Sequence, residues 1–133
     1  MITDTELMDR ARGVAELAYS PYSSAKVGCA LVTEAGRVYL GCNVENASYG
    51  LTMCAERVAV GRAVAEEGAG MRWVRAAVVA LGLEFPPCGA CRQVLAEFAM
   101  ADSRVIFLSQ GELVSMGMSE LLPAGFAPAD LNR

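Results

Sequence analysis

KVGCALVTEAGRVYLGCNV, residues 26–44, holds two apolar, β-branched runs, roughly 27–33 and 37–43, on either side of Glu34-Ala35-Gly36. Short apolar runs around a three-residue break containing glycine read as an antiparallel hairpin. Upstream, Thr3 or Asp4 can cap a helix whose apolar positions Leu7, Ala11, Val14, Ala15 and Ala18 recur at helical spacing. SPYSS at 20–24 ends it with proline and serine turn chemistry.

Downstream of the hairpin, ENASYGLT is a polar, glycine-containing loop. Residues 53–67 favour a helix, which EEGAG stops. RWVRAAVVALGL at 72–83 is a long, valine-rich run, as in a buried central strand. CRQVLAEFAM at 91–100 is a helix with Val94, Leu95 and Phe98 on one face. RVIFLS at 104–109 and GELVSMG at 111–117 are short strands, SELLP is a helical turn, and GFAPADLNR is a loop. A hairpin followed by alternating helices and strands predicts an α/β fold, a sheet covered by helices. With no internal repeat and no linker, residues 1–133 are expected to form a single domain.

The composition narrows the function. Eleven Lys and Arg are scattered among 15 acids, for a net charge of −4. A nucleic-acid binder needs a basic stripe to neutralise phosphates, so a small ligand is expected and no nucleic acid. No run approaches the ~20 apolar residues of a membrane span. The mixed-charge, amphipathic N-terminus is unlike a signal peptide. A cytoplasmic location is therefore expected, where thiols stay reduced. The five cysteines, Cys29, Cys42, Cys54, Cys88 and Cys91, then read as packing residues or metal ligands.

Pro87-Cys88-Gly89-Ala90-Cys91 is a CxxC at a strand-to-helix junction. There the helix dipole and free N–H groups favour thiolates. Cys54, at the start of the other helix, is the best third ligand, and the chain has no histidine. Three cysteines and one open position is the tally of a catalytic zinc site. A redox dithiol, and a structural four-cysteine site using Cys42, remain as alternatives. Cys29 and Cys42 lie in strands and read as core, as do Met53 and Met71. Zinc held by three thiolates is a poor Lewis acid unless hydrogen bonds draw charge from the sulfurs; Arg57, Arg92 and Gln93 are candidate donors. Glu56, two residues from Cys54, can face the same cavity as a proton shuttle with a raised pKa.

C-A-E…P-C-G-A-C is the all-cysteine form of the zinc deaminase signature. With VGCALVTEAGRVYLGCNVENASYGLT, PCGACRQVLAEF and LLPAGF, the chain resembles the small, homotetrameric cytidine deaminases over nearly its whole length. The resemblance implies a three-layer α/β/α fold with a five-stranded mixed sheet. It implies hydrolytic deamination of cytidine and 2'-deoxycytidine, releasing ammonia, in pyrimidine salvage. One Zn2+ per subunit would sit on Cys54, Cys88 and Cys91. Glu56 would relay protons between the attacking water, the ring N3 and the departing amine. Asn43 and Glu45 would grip the ribose hydroxyls, and the Ala55 backbone the amide edge of the base. Arg57 would bond the thiolates. Tyr49 and Phe126 would reach into a neighbouring subunit's site, making a homotetramer with shared sites. Without the resemblance, Phe126 reads as a staple for its own C-terminal loop.

Two departures stand out. After PYS the family commonly places a polar residue and then an aromatic that lies over the base; here the pair is Ser24 and Ala25. The connection LGLEFP before Pro87 is short. The first departure leaves room for a modified cytosine nucleoside such as blasticidin S, the main alternative substrate. An editing enzyme acting on RNA or DNA and a non-catalytic zinc module are the other rivals.

Overall fold

The computed structural model describes residues 1–131. Its elements run α1 (Asp4–Ala15), β1 (Val27–Thr33), β2 (Val38–Cys42), α2 (Ala55–Glu67), β3 (Trp73–Ala80), α3 (Gly89–Glu97), β4 (Ala99–Ser109), β5 (Glu112–Gly117) and α4 (Met118–Leu121). Single 3-10 turns occur at Tyr49–Leu51 and Pro128–Leu131.

The hairpin forms where expected. Gly36 takes the left-handed φ of +83° that closes its turn. β1 and β2 pair antiparallel from Gly28–Cys42 to Val32–Val38. The sheet order is β2-β1-β3-β4-β5. β3 and β4 are parallel and the other pairs antiparallel, so the sheet is mixed. The parallel pair exists because α3 carries the chain from one end of the sheet back to the other.

Side-chain alternation divides the core into two layers. Cys29, Leu31, Ala76, Val78, Val105 and Phe107 face α2 and α3. Ala30, Val32, Ala77, Val79 and Ile106 face Leu7, Met8 and Ala11 of α1. Every residue of β1 after Val27 is buried, as a central strand covered on both faces must be. The Thr3–Glu6 capping box starts α1: the Thr3 hydroxyl accepts from Glu6 N–H at 3.1 Å, and the Glu6 carboxylate accepts from Thr3 N–H at 3.4 Å.

Several boundaries differ from the sequence reading. α1 ends at Ala15, because the chain turns so that Tyr19 can bridge to Val44; Ala18 lies outside the helix. β3 stops at Ala80, where Gly82 at φ +72° folds Leu83 back on it. α3 stops at Glu97, and β4 begins at Ala99, five residues early. Its register against β3 jumps from Trp73–Ala99 to Arg75–Arg104. The buried Ser103 hydroxyl holds this irregularity by donating to Trp73 O (2.6 Å) and accepting from Met100 N–H (2.7 Å). The C-terminal segment, read as loop, contains a 3-10 turn. Met71 is core at 2% exposure, but Met53 is 43% exposed, because its backbone bridges Val44 at the edge of the sheet. No helix is long and apolar enough to cross a membrane among the described residues.

Two glycines set how closely the helices approach. A Cβ on Gly28 would stand 2.0 Å from Ala11 O of α1, and one on Gly41 would stand 2.5 Å from Ala55 O and Ala59 N of α2. Both neighbours are helix backbone and cannot swing aside. Gly41→Ala should therefore destabilise the protein by about 1–3 kcal/mol through overpacking. The exposed Gly61→Ala, with nothing within 4 Å, should stabilise it slightly. Urea midpoints of the two variants check this, and an unchanged midpoint for Gly41→Ala would contradict the close approach.

Candidate active site

The close approach at Gly41 brings the N-terminus of α2 against the sheet edge, next to the N-terminus of α3. Cys54 is the N-cap residue of α2 and Cys88 that of α3, with Cys91 in the first turn of α3. Their three sulfurs lie within 4.8 Å of one another. Cys54 and Cys88 Sγ are 4.0 Å apart, and Cys88 and Cys91 Sγ 3.2 Å. Cys88 Sγ also accepts from Cys91 N–H at 3.4 Å. Two helix N-termini thus converge on one cluster of sulfurs, and both favour the thiolate.

The donor set fits zinc. Thiolates at ~2.3 Å from a tetrahedral ion stand about 3.8 Å apart, so the Cys54–Cys88 spacing already matches and the Cys88–Cys91 pair needs to open by about half an ångström. Among the described residues this is the cluster able to hold a metal; Cys29 and Cys42 are not in it. Cys29 is fully buried, and burial, with Glu56 nearby, pushes its thiol well above the ordinary range. It is a core residue.

The Cys91 thiol, hydrogen-bonding toward Cys54, and the Arg57 guanidinium together hold the Cys54 thiol down at about 5. Cys91 is raised in turn, by that same contact and by burial. Arg57 Nη2 donates to Cys54 Sγ at 3.3 Å and to Thr52 O at 3.2 Å. Arg92 and Gln93 do not join it. Arg92 donates to Pro87 O and Leu121 O (2.8 Å each), and Gln93 Nε2 to Phe126 O at 2.7 Å. In α3 these two side chains turn toward carbonyls of the flanking chain, so charge relief at the sulfurs comes from Arg57.

Glu56 sits in the first turn of α2 and is 4% exposed. Burial, reinforced by Cys54, raises its carboxyl above the usual carboxylate range. It lines a cleft of about 220 Å³ shared with Cys54, Cys88, Ala55, Asn43 and Thr52. Thr52 also borders a second cleft of about 280 Å³, lined by Tyr22, Ser23, Glu45 and Tyr49. Glu45 is bound to the turn before β1: its carboxylate accepts from the backbone N–H groups of Tyr22 (3.0 Å) and Ser23 (3.1 Å) and from the Ser23 hydroxyl. The Ser23 hydroxyl is the main reason its carboxyl is lowered. Asn43 ties the same segment down, accepting from Val27 N–H (2.8 Å) and donating to Ala25 O (2.7 Å). Ser24 adopts φ +63° between these anchors.

Of the residues singled out in the sequence, Cys54, Ala55, Glu56, Cys88 and Asn43 meet at the first cleft, and Glu45 and Tyr49 at the second. Tyr49 is 74% exposed and packs edge-on against Tyr22, centroids 5.8 Å apart. The Phe126 ring is 59% exposed, while its carbonyl is held by Gln93. Thr52, Tyr22, Phe85 and Pro86 line the clefts without having been picked out. For Phe85 a signal existed: an aromatic in a turn, directly before the two prolines that lead into the CxxC.

The comparisons with known proteins agree with this geometry. The family model for the cytidine and deoxycytidylate deaminase zinc-binding region matches residues 1–109. The cytidine deaminase of Halalkalibacterium halodurans is 46% identical over 129 residues, covering 95% of this chain and 96% of its own. That of Sporosarcina psychrophila is 41% identical over 130 residues, covering 96% and 93%. Among solved structures, the cytidine deaminase of Burkholderia pseudomallei superposes with a TM-score of 0.84 at 45% identity, covering 94% of this chain and 100% of that one. The fold, the three-sulfur cluster and these relatives lead to one conclusion: the chain belongs to the cytidine and deoxycytidylate deaminase family.

Proposed function

We propose that the protein hydrolyses the exocyclic amine of cytidine and 2'-deoxycytidine, giving the uridine nucleoside and ammonia. The observation that carries this reading is the buried Glu56 carboxyl, facing one cleft with three thiols that fit a single zinc. Cys54, Cys88 and Cys91 would hold the ion. When bound, it supplies the Lewis acidity that makes water a nucleophile near neutral pH.

Glu56 takes a proton from the attacking water and delivers it to ring N3 as the water oxygen bonds to C4. It then transfers the second proton to the amine, which leaves as ammonia while the C4 carbonyl forms. A raised carboxyl pKa suits a group that both accepts and returns protons. Arg57 tempers the charge on Cys54. Ala55, at the start of α2, contributes first-turn backbone to the base edge, where N–H groups lack intrahelical partners. Asn43 and Glu45 frame the ribose region; their bonds to residues 22–27 hold that wall in place.

Neither cleft has Lys or Arg among its lining residues, and one carries the Glu45 carboxylate. A 5'-phosphate would find no cation there, which supports an unphosphorylated nucleoside. The net charge of −4 speaks against a polynucleotide. Cytidine is favoured over blasticidin S, because the relatives found across the full length are named cytidine deaminases.

We also propose a homotetramer with shared sites. Tyr19, Val44, Tyr49, Leu51, Met53 and Phe126 are all exposed by 43% or more, more apolar surface than isolated positions explain. Five free thiols support a reducing, cytoplasmic setting, and the product fits pyrimidine salvage.

Glu56→Gln should lower turnover of cytidine by at least about 100-fold, the usual share of a general acid–base group. Zinc content, read by atomic absorption, should stay at one per chain; near-normal turnover would remove Glu56 from the proton relay. Zinc should be lost on acidification, because each ligating thiol must give up its proton to bind. Removing the guanidinium in Arg57→Ala raises the Cys54 pKa, so that loss should move to higher pH, as a chelator dye titration would show. Light scattering should find a particle of four 14.0 kDa chains; a monomer would overturn the tetramer.

A further inference from the structure

A pyrimidine ring offers polar edges and two apolar faces. Around the cleft, Thr52 and Glu56 can serve the edges. The faces need flat apolar surface. Phe85 is the aromatic among the residues lining that cleft, and it stands three residues before Cys88. Ser24 and Ala25, the latter bonded through its carbonyl to Asn43 of the cleft, carry only a hydroxymethyl and a methyl group. Phe85 is 39% exposed, so part of its ring is left for a ligand to cover.

Phe85 is also held between two anchors. On one side, Gly82 at φ +72° and the Ala80–Leu83 bridge fold the chain, and the Glu84 carboxylate accepts from Gly111 N–H at 3.0 and 3.2 Å. On the other, Pro86 restricts Phe85 to extended backbone. Pro87 is buried, and its carbonyl accepts from Arg92 Nε at 2.8 Å. Phe85 also borders a small crevice lined by Val79, Leu83 and Leu108. An aromatic carried on backbone anchored at both ends has less freedom to lose when a ligand stacks on it.

We propose that Phe85 is the flat wall on which the pyrimidine rests, and thus a specificity-determining contact of this deaminase. The proposal depends on the cleft being a nucleoside site. Phe85→Ala should raise the KM for cytidine about tenfold while kcat changes by less than about threefold, the pattern of a lost base–aromatic stack. Phe85→Tyr should keep the original KM, and zinc should stay at one per chain in both variants. An unchanged KM in Phe85→Ala, or a fall in kcat alone, would overturn the proposal, the latter marking a residue that only packs the metal loop.

If Phe85→Ala fails to fold or loses zinc, Phe85→Trp decides. Trp73 is buried and gives a constant background, so saturable quenching of the new indole by uridine supports the wall, and an unresponsive indole overturns it. No turnover of cytidine by the unsubstituted protein would overturn the deaminase reading instead; the Phe85→Trp titration is a separate measurement and still decides the wall.

Discussion

The site depends on the close approach of α2 to the sheet over Gly41. A helix can lie with its backbone on a strand only where the strand has no side chain, and Gly41 provides that gap beneath Ala55 and Ala59. The contact lies at the first turn of α2, beside the N-cap Cys54. Any larger residue at position 41 would lift that turn and carry Cys54 away from Cys88. The register of the hairpin therefore sets the metal cluster, although no hairpin residue is a ligand.

The second constraint is electrostatic. Three sulfurs and a buried carboxyl occupy a small volume, and burial makes each charge costly. Two helix N-termini and one guanidinium offset that cost. Arg57 meets Cys54 because one helical turn separates them on α2. The polar side chains of α3 are used differently: Arg92 and Gln93 fasten the chain around Pro87, Leu121 and Phe126. The protein divides these tasks, with one cation on the sulfurs and two polar side chains holding the loops that border them.

Much of this was legible from residue patterns. The hairpin, the alternating helices and strands and the CxxC at a helix start follow from local periodicity and spacing, which depend on near neighbours in the chain. The family resemblance added the mixed sheet, and β3-β4 pairing bears it out. The boundaries that failed share a cause. α1 stops before Ala18, and β4 starts at Ala99, because Tyr19–Val44 and Trp73–Ser103 contacts override local preference. Met53 reads as core by type and is half exposed by position. Gln93 reads as a donor to sulfur and bonds a carbonyl 33 residues away.

By itself the sequence showed which groups could carry chemistry: thiols and a carboxylate at C-x-E and P-C-x-x-C spacing, with no histidine to compete, point to a metal and to a candidate proton carrier. Those spacings are local, and a helix start presents them in one way. Only the tertiary structure decided how the pocket is walled. It put Asn43 and Glu45 on the backbone of residues 22–27, turned Gln93 to the C-terminal segment and set Phe85 beside the sulfurs. Each of these depends on segments far apart in the chain packing together, and no local pattern records which of several possible partners a side chain will meet.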